Sequence, residues 1–341
     1  MNKEHILRNL KYLHDKHKTE NAVFKVRAYK KAINVISSYT SDITLEDLPT
    51  LDIGSRILEK VKTIITTGED LSQFEETNIT NKQSSISMLQ TVHNIGNKKA
   101  CELVEKHNIT SIEELRTKQE LLNVKQIAGL KYHDEIQQRI PREEIDIHRE
   151  FLMATLANDN ILTLTITGSY RRNEASSGDI DVLVCIKSHD KNVLKKLINQ
   201  LGDYVPKTDG IFALGEKKFM GMCKLPECST HRRIDIMLTT IDYYPFALLY
   251  FSGNSDFNVE MREYAIKKGY LLNEYGLFNI PEKMRKSAKS SKIKDVTSLE
   301  KQYINFDNSL NNEYLEACIF KTLELQYIEP PNRQSGNVLP L

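Results

Sequence analysis

Gly168-Ser169 and, a short way on, Ser177-Gly178-Asp179-Ile180-Asp181 bring small, polar and acidic residues together in a way that suits phosphate chemistry. Asp179 and Asp181 stand two apart, so on a strand both carboxylates point to one face while Ile180, Val182 and Val184 point to the other. Two adjacent acids repel unless a cation sits between them, and hard oxygen ligands of this kind suit Mg2+. Asp235, in the alternating run Arg233-Ile234-Asp235-Ile236-Met237-Leu238, offers a third carboxylate from a neighbouring strand. Three carboxylates can hold two Mg2+ ions, one at an attacking hydroxyl and one clamping a triphosphate and its leaving pyrophosphate. Ser169, Arg172, Ser177 and Gly178 supply phosphate donors around them. The plainer alternative is a solvent-facing acidic strand. A lone D-x-D would leave that alternative ahead, whereas G-S, then D-x-D, then a later strand Asp is a nucleotidyl-transfer pattern.

The elements that position these residues change character along the chain. Residues 5–15 and 22–38 repeat apolar side chains every three or four positions and predict helices, with Thr19 or Asn21 as cap of the second. The polar stretch 77–87 reads as a linker between two helical subdomains. Ile140-Pro141-Arg142 ends the helical half, and from about residue 160 the runs ILTLTITGSY, DIDVLVCI and RRIDIMLT read as strands. Residues 282–314, basic and then Asn-rich, read as a mobile insertion before a last apolar segment at 316–328.

Within the helical half an internal repeat stands out: Asp52-Ile53-Gly54 and Asn94-Ile95-Gly96, about forty residues apart, each followed by a helix carrying basic residues. A helix, a tight hairpin and a second helix leave unpaired backbone N–H groups at the second helix's N-terminus, and these favour a phosphate. Gly54 and Gly96 let such a group come close. Helix-hairpin-helix motifs usually carry a glycine two positions earlier as well; Asp52 and Asn94 stand there instead, the residue types that best tolerate the left-handed conformation. An ordinary corner between two core helices is the alternative; two copies, with Arg56, Lys60 and Lys62 behind one and Lys98 and Lys99 behind the other, favour DNA binding.

The chain has 341 residues, 40% hydrophobic and 27% charged, which is ordinary globular composition and enough for two or three domains. Its 47 basic and 46 acidic residues nearly cancel. They are unevenly spread: within residues 1–35, Lys3, Arg8, Lys11, Lys16, Lys18, Lys25, Arg27, Lys30 and Lys31 face only Glu4, Asp15 and Glu20. A local basic stripe of that kind suggests a polyanion partner, with a solvated helix face as the alternative. No apolar run is long enough to span a bilayer, and the N-terminus lacks the marks of a secretory or transit peptide. The 5 cysteines show no paired framework, which suggests an intracellular, reducing setting. Cys223, Cys228 and His231 lack a fourth ligand for zinc.

The stretches GSYRRNEASSGDIDVLV, GEKKFMGMCKLP, HRRIDIML, LLYFSGNSDFNVEMR, KKGYLLNEY and IAGLKYHDEIQQRIPREE together resemble the family X DNA polymerases, in particular the polymerase beta type. The resemblance implies a multidomain α and α+β chain. Its parts are an all-helical 5′-deoxyribose-phosphate lyase domain with a helix-hairpin-helix (1–78), a second helix-hairpin-helix DNA-binding subdomain (79–140), a nucleotidyltransferase palm with a mixed sheet (141–241), and an α+β nascent-pair-binding subdomain (242–341). It makes Asp179, Asp181 and Asp235 ligands of two Mg2+ ions, with Asp235 also receiving or orienting the primer 3′-hydroxyl. It gives Ser169, Arg172, Ser177 and Gly178 the triphosphate. Tyr250, Phe251 and Gly253 become a wall under the sugar that resists a 2′-hydroxyl, Asn258 a reader of the minor-groove edge, and Arg262 and Arg233 DNA contacts. In the helical half it makes Lys60 the Schiff-base lysine, Lys25 and Arg56 ligands of a 5′-phosphate, and Gly54, Gly96 and Lys98 parts of the DNA-binding hairpins, with Na+ or K+ as cofactors there. A lysine set among other cations is the better amine nucleophile.

Expected partners are gapped or nicked DNA bearing a 5′-phosphate, deoxynucleoside triphosphates and a DNA ligase, with no membrane and a monomeric protein. The expected location is the nucleus or another site of DNA repair, a cytoplasmic viral replication site included. The chain departs from the family's pattern at Phe24, where close relatives carry histidine, at Met237, where they carry arginine, and at Asn254-Ser255 and Val259 near the nucleotide. The favoured activity is short-gap filling in base excision repair with excision of 5′-deoxyribose phosphate. The alternatives are an end-joining or template-independent transferase, which a chain without room for an N-terminal BRCT domain disfavours, and a catalytically idle DNA-binding scaffold.

Overall fold

The computed structural model describes residues 2–20, 22–68, 77–188, 190–282, 299–306, 311–333 and 338, and they divide into two compact units, 1–133 and 134–341. In the first unit, α1 (Asn2–Thr19), α2 (Val23–Ser37) and α3 (Ser55–Thr67) pack around Ile6, Leu10, Tyr29, Ala32, Ile36, Val61 and Ile64. These side chains recur at helical spacing, and each fully buried Ile, Leu or Val contributes about 1.5–3 kcal/mol. The amide of Asn2 donates to the Ile43 carbonyl at 2.7 Å and accepts from the Ile43 amide at 3.0 Å, which fastens the start of α1 to the loop after α2. Ala22 stands at the N-cap of α2 without a side-chain cap, and the Thr19 hydroxyl donates backwards to Lys16. The expected cap by Thr19 is therefore wrong, because local back-bonding to its own helix takes the hydroxyl first; Asn21 lies outside the described residues.

The linker expected at 77–87 is a helix, α4 (Thr77–Leu89). Its polar composition hides a sparse apolar edge: Ile86 and Leu89 are buried with Val92, Ile95, Leu103 and Leu115, and tertiary burial overrides weak propensity. Gln83 of α4 donates to the Thr19 hydroxyl at 2.7 Å. After it come α5 (Asn97–His107), α6 (Ile112–Thr117) and α7 (Val124–Lys131), the last opened by a capping box between Asn123 and Gln126.

The second unit is built on a five-stranded sheet of order β2-β4-β7-β6-β5: β2 (Ile161–Ile166), β4 (Ile180–Ile186), β5 (Ile211–Leu214), β6 (Lys218–Cys223) and β7 (Arg232–Thr240). The short β1 (Ile140–Pro141) and β3 (Ser176–Ser177) pair beside it. Strands β4 and β7 run parallel and the remaining neighbours antiparallel. Ile180, Val182, Val184, Ile234 and Ile236 face a core completed by Ile145, Leu152 and Leu156 of α8 (Arg142–Leu156) and by α10 (Val193–Gln200), while α9 (Gly168–Arg171) is the single turn after β2. Leu183, Cys185 and Met237 face a second cluster with Tyr244, Ala247 and Leu248 of α11 (Tyr244–Ser252), so the sheet's centre is covered on both sides.

Beyond the sheet, α11, α12 (Ser255–Lys267), the hairpin β8 (Tyr270–Asn273) and β9 (Gly276–Asn279), and α13 (Asn312–Thr322) share a core around Phe257, Met261, Leu277, Ile319 and Phe320. The expected insertion at 282–314 lies partly outside the described residues, at 283–298 and 307–310. Where described it is not a loose loop. Asn279 and Gln302 donate their amides to Glu300 and Leu277, Ile304 and Phe306 pack on the core, and Asn311 caps α13. Two apolar residues among polar ones are too few to register as periodicity, yet they anchor the segment.

Candidate active site

Register builds the carboxylate cluster. Asp181 of β4 and Asp235 of β7 are direct partners in the parallel ladder, and Asp179 precedes β4 by one residue. One oxygen from each of the three carboxylates lies within 4.8 Å of the others. Burial, and then the charge of Asp235, push the Asp181 carboxyl up to about 7; burial also raises Asp235, against the opposing pull of Arg233. Carboxylates held this close and this dry require positive charge. Arg233 supplies part of it: its guanidinium donates to Asp179 and, at 3.3 Å, to both oxygens of Asp235. Arg233, expected at the DNA, thus stands among the acids. The donor set, all carboxylate oxygen, fits Mg2+.

Gly168, which the sequence places beside Ser169 ahead of the acids, proves to be held against one of them. Its φ is +56°, and a Cβ there would collide with the Asp181 carboxylate. The Thr167 amide donates to the Asp181 carbonyl at 2.8 Å, so the end of β2 is stitched to β4 at this point. The turn α9 then presents Ser169 and Arg172 to a cleft of about 700 Å³ that Asp179, Asp181, Tyr250, Phe251 and Asn258 also line. That is within the size range of small-molecule and cofactor sites. The Ser177 hydroxyl is buried and has no protein partner, an orphaned donor next to Gly178 and Asp179.

The far wall comes from the end of α11. The Tyr250 and Phe251 rings lie nearly parallel, 12° apart with centroids separated by 6.4 Å. Arg172 donates to the Ser252 carbonyl at 2.7 Å, and Asn258 to the Tyr250 carbonyl at 2.7 Å, so both expected nucleotide ligands also fasten this wall. Gly253 and Asn254 connect it to α12, with Asn254 capping that helix. Behind the wall Arg171 donates to Ser252 at 2.6 Å and grips Glu316 with two bonds of 2.9 and 2.7 Å; Arg333 takes the same carboxylate at 2.8 Å. No sequence signal points to Glu316, which lies in α13 far from Arg171 along the chain.

In the helical unit, Gly54 and Gly96 occupy the N-caps of α3 and α5, and a Cβ at either would meet nothing within 4 Å. Internal packing therefore makes no demand for glycine there; the space in front of both helix ends is open. Arg56 lies in the first turn of α3 and Lys60 one turn on, beside the buried face of Ile57, Val61 and Ile64. Lys25 is exposed in the first turn of α2, and Lys98 is exposed at the start of α5.

Three family models match in order along the chain: the fingers domain of DNA polymerase lambda at 87–137, the DNA polymerase beta palm at 139–241 and the DNA polymerase beta thumb at 247–334. A DNA polymerase lambda of Arabidopsis thaliana is 33% identical over 269 residues, 74% of this chain and 50% of its own length. One of Rattus norvegicus is 29% identical over 286 residues, covering 80% and 48%. A DNA nucleotidylexotransferase of Xenopus laevis is 25% identical over 353 residues, covering 90% and 64%. The chain spans about half the length of the two polymerases it matches. With its three carboxylates inside the matched palm and its aromatic wall inside the matched thumb, the chain belongs to the family X DNA polymerases.

Proposed function

We propose that the chain is a DNA-directed DNA polymerase that fills short gaps by nucleotidyl transfer and also removes a 5′-deoxyribose phosphate. The observation that carries the first half is the Asp181–Asp235 register pair with Asp179 beside it. Asp179, Asp181 and Asp235 would hold two Mg2+ ions, which supply Lewis-acid activation of the attacking hydroxyl and charge neutralisation on the triphosphate. The chain's own groups do the rest. Asp235 orients the primer 3′-hydroxyl. Ser169, Ser177, Gly178 and Arg172 hold phosphate oxygens, and Tyr250 with Phe251 packs beneath the sugar where a 2′-hydroxyl would crowd. The three matched segments and the separate cores of residues 6–64 and 86–130 support the four-part division with boundaries near 78, 140 and 241.

For the second activity, the Lys60 amine adds to the C1′ aldehyde of a 5′-deoxyribose phosphate and loses water to form an imine. Loss of a C2′ proton then breaks the C3′–O bond, and the downstream DNA leaves with its 5′-phosphate. Arg56, Lys25 and the open N–H groups after Gly54 hold that phosphate. The deciding experiment compares extension on a one-nucleotide gap with and without a 5′-phosphate, in Mg2+ and in EDTA. Extension should need Mg2+ and favour the phosphorylated gap. Borohydride trapping of the lyase adduct should survive EDTA and be mostly lost in Lys60→Ala, whose extension on a simple template stays near normal. Undiminished trapping by Lys60→Ala would move the nucleophile to another lysine.

The similarity to a chain named DNA nucleotidylexotransferase favours a second reading, transfer without a template. Incorporation that ignores the templating base, or that proceeds on a single strand as well as on a gap, would select it. No incorporation on any primer would leave the idle scaffold.

A further inference from the structure

Two cations rest against the Tyr250 ring, and both answer to one carboxylate. The Lys218 ammonium lies 5.2 Å from the ring centroid and the Arg262 guanidinium 5.1 Å from it. Glu274, in the turn between β8 and β9, reaches both: Lys218 donates to Oε1 at 3.1 Å, and Arg262 lies 3.9 Å from Oε2. Each oxygen of the carboxylate thus serves one cation. Burial works against the Glu274 charge, but its own backbone amide and Lys218 outweigh it, and its carboxyl stays below the usual range. Burial likewise works against the Lys218 ammonium, and Glu274 outweighs it and raises that pKa. The neighbouring strand offers no substitute cation, since Lys218 faces Met237 in the β6–β7 register and Met237 is buried.

We propose that Glu274 is a positioning residue for sugar selection, holding Lys218 and Arg262 against Tyr250 so that the ring stays fixed under the incoming sugar. This rests on the reading of Tyr250 and Phe251 as the sugar wall. A cation over an aromatic face contributes modestly when exposed and more when desolvated, and two sharing one partly covered acid act as a unit. Releasing them lets the ring move and makes room for a 2′-hydroxyl, while a deoxyribose, which needs no such room, is handled much as before.

The test measures kcat/KM for dATP and for ATP opposite a templating thymine in gapped DNA with Mg2+. It uses the full chain, Glu274→Gln, Lys218→Met, the double variant and Tyr250→Ala, each with its melting temperature. Glu274→Gln and Lys218→Met should each lower the deoxynucleotide preference about three- to tenfold, chiefly by raising ATP incorporation. The double variant should do no more than the larger single, and Lys218→Arg should keep the wild-type preference. If Glu274→Gln fails to fold, Lys218→Met decides alone, because its side chain is 44% exposed. Wild-type preference in the clamp variants, with preference lost in Tyr250→Ala, overturns the clamp and leaves the wall standing. Equal loss for both nucleotides also overturns it. Unchanged preference in Tyr250→Ala removes the wall reading and the clamp with it.

Discussion

Two clusters of arginine and carboxylate sit in the sheet-bearing unit, and they are opposites in stoichiometry. Around Glu316, one acid meets two arginines; the Glu316 and Arg333 side chains are 0% exposed and Arg171 is 11% exposed. At Asp179, Asp181 and Asp235, three acids stand with one arginine, which pairs with Asp179 and Asp235, and Asp179 and Asp181 line an open cleft. In the first, each charge has a partner of the opposite sign, and although burial opposes the charge, Arg333 and Arg171 hold the Glu316 carboxyl below its ordinary range. In the second, burial and mutual repulsion push Asp181 the other way. A cluster that closes on itself is architecture, here bolting α9 to α11 and α13. One left with surplus negative charge facing a cleft is prepared for something that arrives.

The sharpest way to break this contrast is Asp235→Ala. Nucleotide incorporation should fall by on the order of a thousandfold or more, while DNA affinity stays within a few-fold because the hairpins lie elsewhere. Near-normal extension would end the assignment of the acidic cluster as a catalytic centre. Glu316→Ala should act mainly on stability. It strands two buried guanidinium groups, at a cost of about 3–5 kcal/mol, and the melting temperature should fall by roughly 10 °C. An unchanged melting temperature would show that the closed cluster is not structural. The smallest expected effect runs in the opposite direction. Asp181→Asn removes one of the crowded charges, so without divalent metal the variant should melt slightly higher than wild type, by about 1 kcal/mol. A clear loss of stability would mean that Arg233 already balances the cluster.

The open cluster was legible in the sequence because period-two alternation fixes which side chains share a face, and two acids on strands with a third just ahead of β4 reveal themselves by it. The closed one was not. Glu316 and Arg333 sit in the last stretch of the chain with neighbours that read as ordinary helix and loop, and only the packing of α13 on α11 brings them to Arg171. Glu274 and Lys218 escaped for the same reason, since a hairpin turn and a strand end meet only in three dimensions. The hairpin repeat was readable, but not its difference. Asn94 does take the left-handed conformation, at φ 68°, whereas Asp52 does not, and a bond from the Ile53 amide to the Leu51 carbonyl shapes the first turn instead. Helix α4 and the packed segment around Ile304 and Phe306 were misread because so few apolar residues anchor them.

The ladder between β4 and β7 has a consequence for how activity arises. Asp181 and Asp235 come together only if two strands distant in sequence pair in one register, and a slip of a single residue would turn one acid into the hydrophobic interior. Helices form from neighbours and can appear early; this pairing must wait for chain closure across α10, β5 and β6. During refolding, recovery of primer extension should therefore trail recovery of helical signal, and the enzyme's own turnover becomes a reporter of when the central strands have found each other.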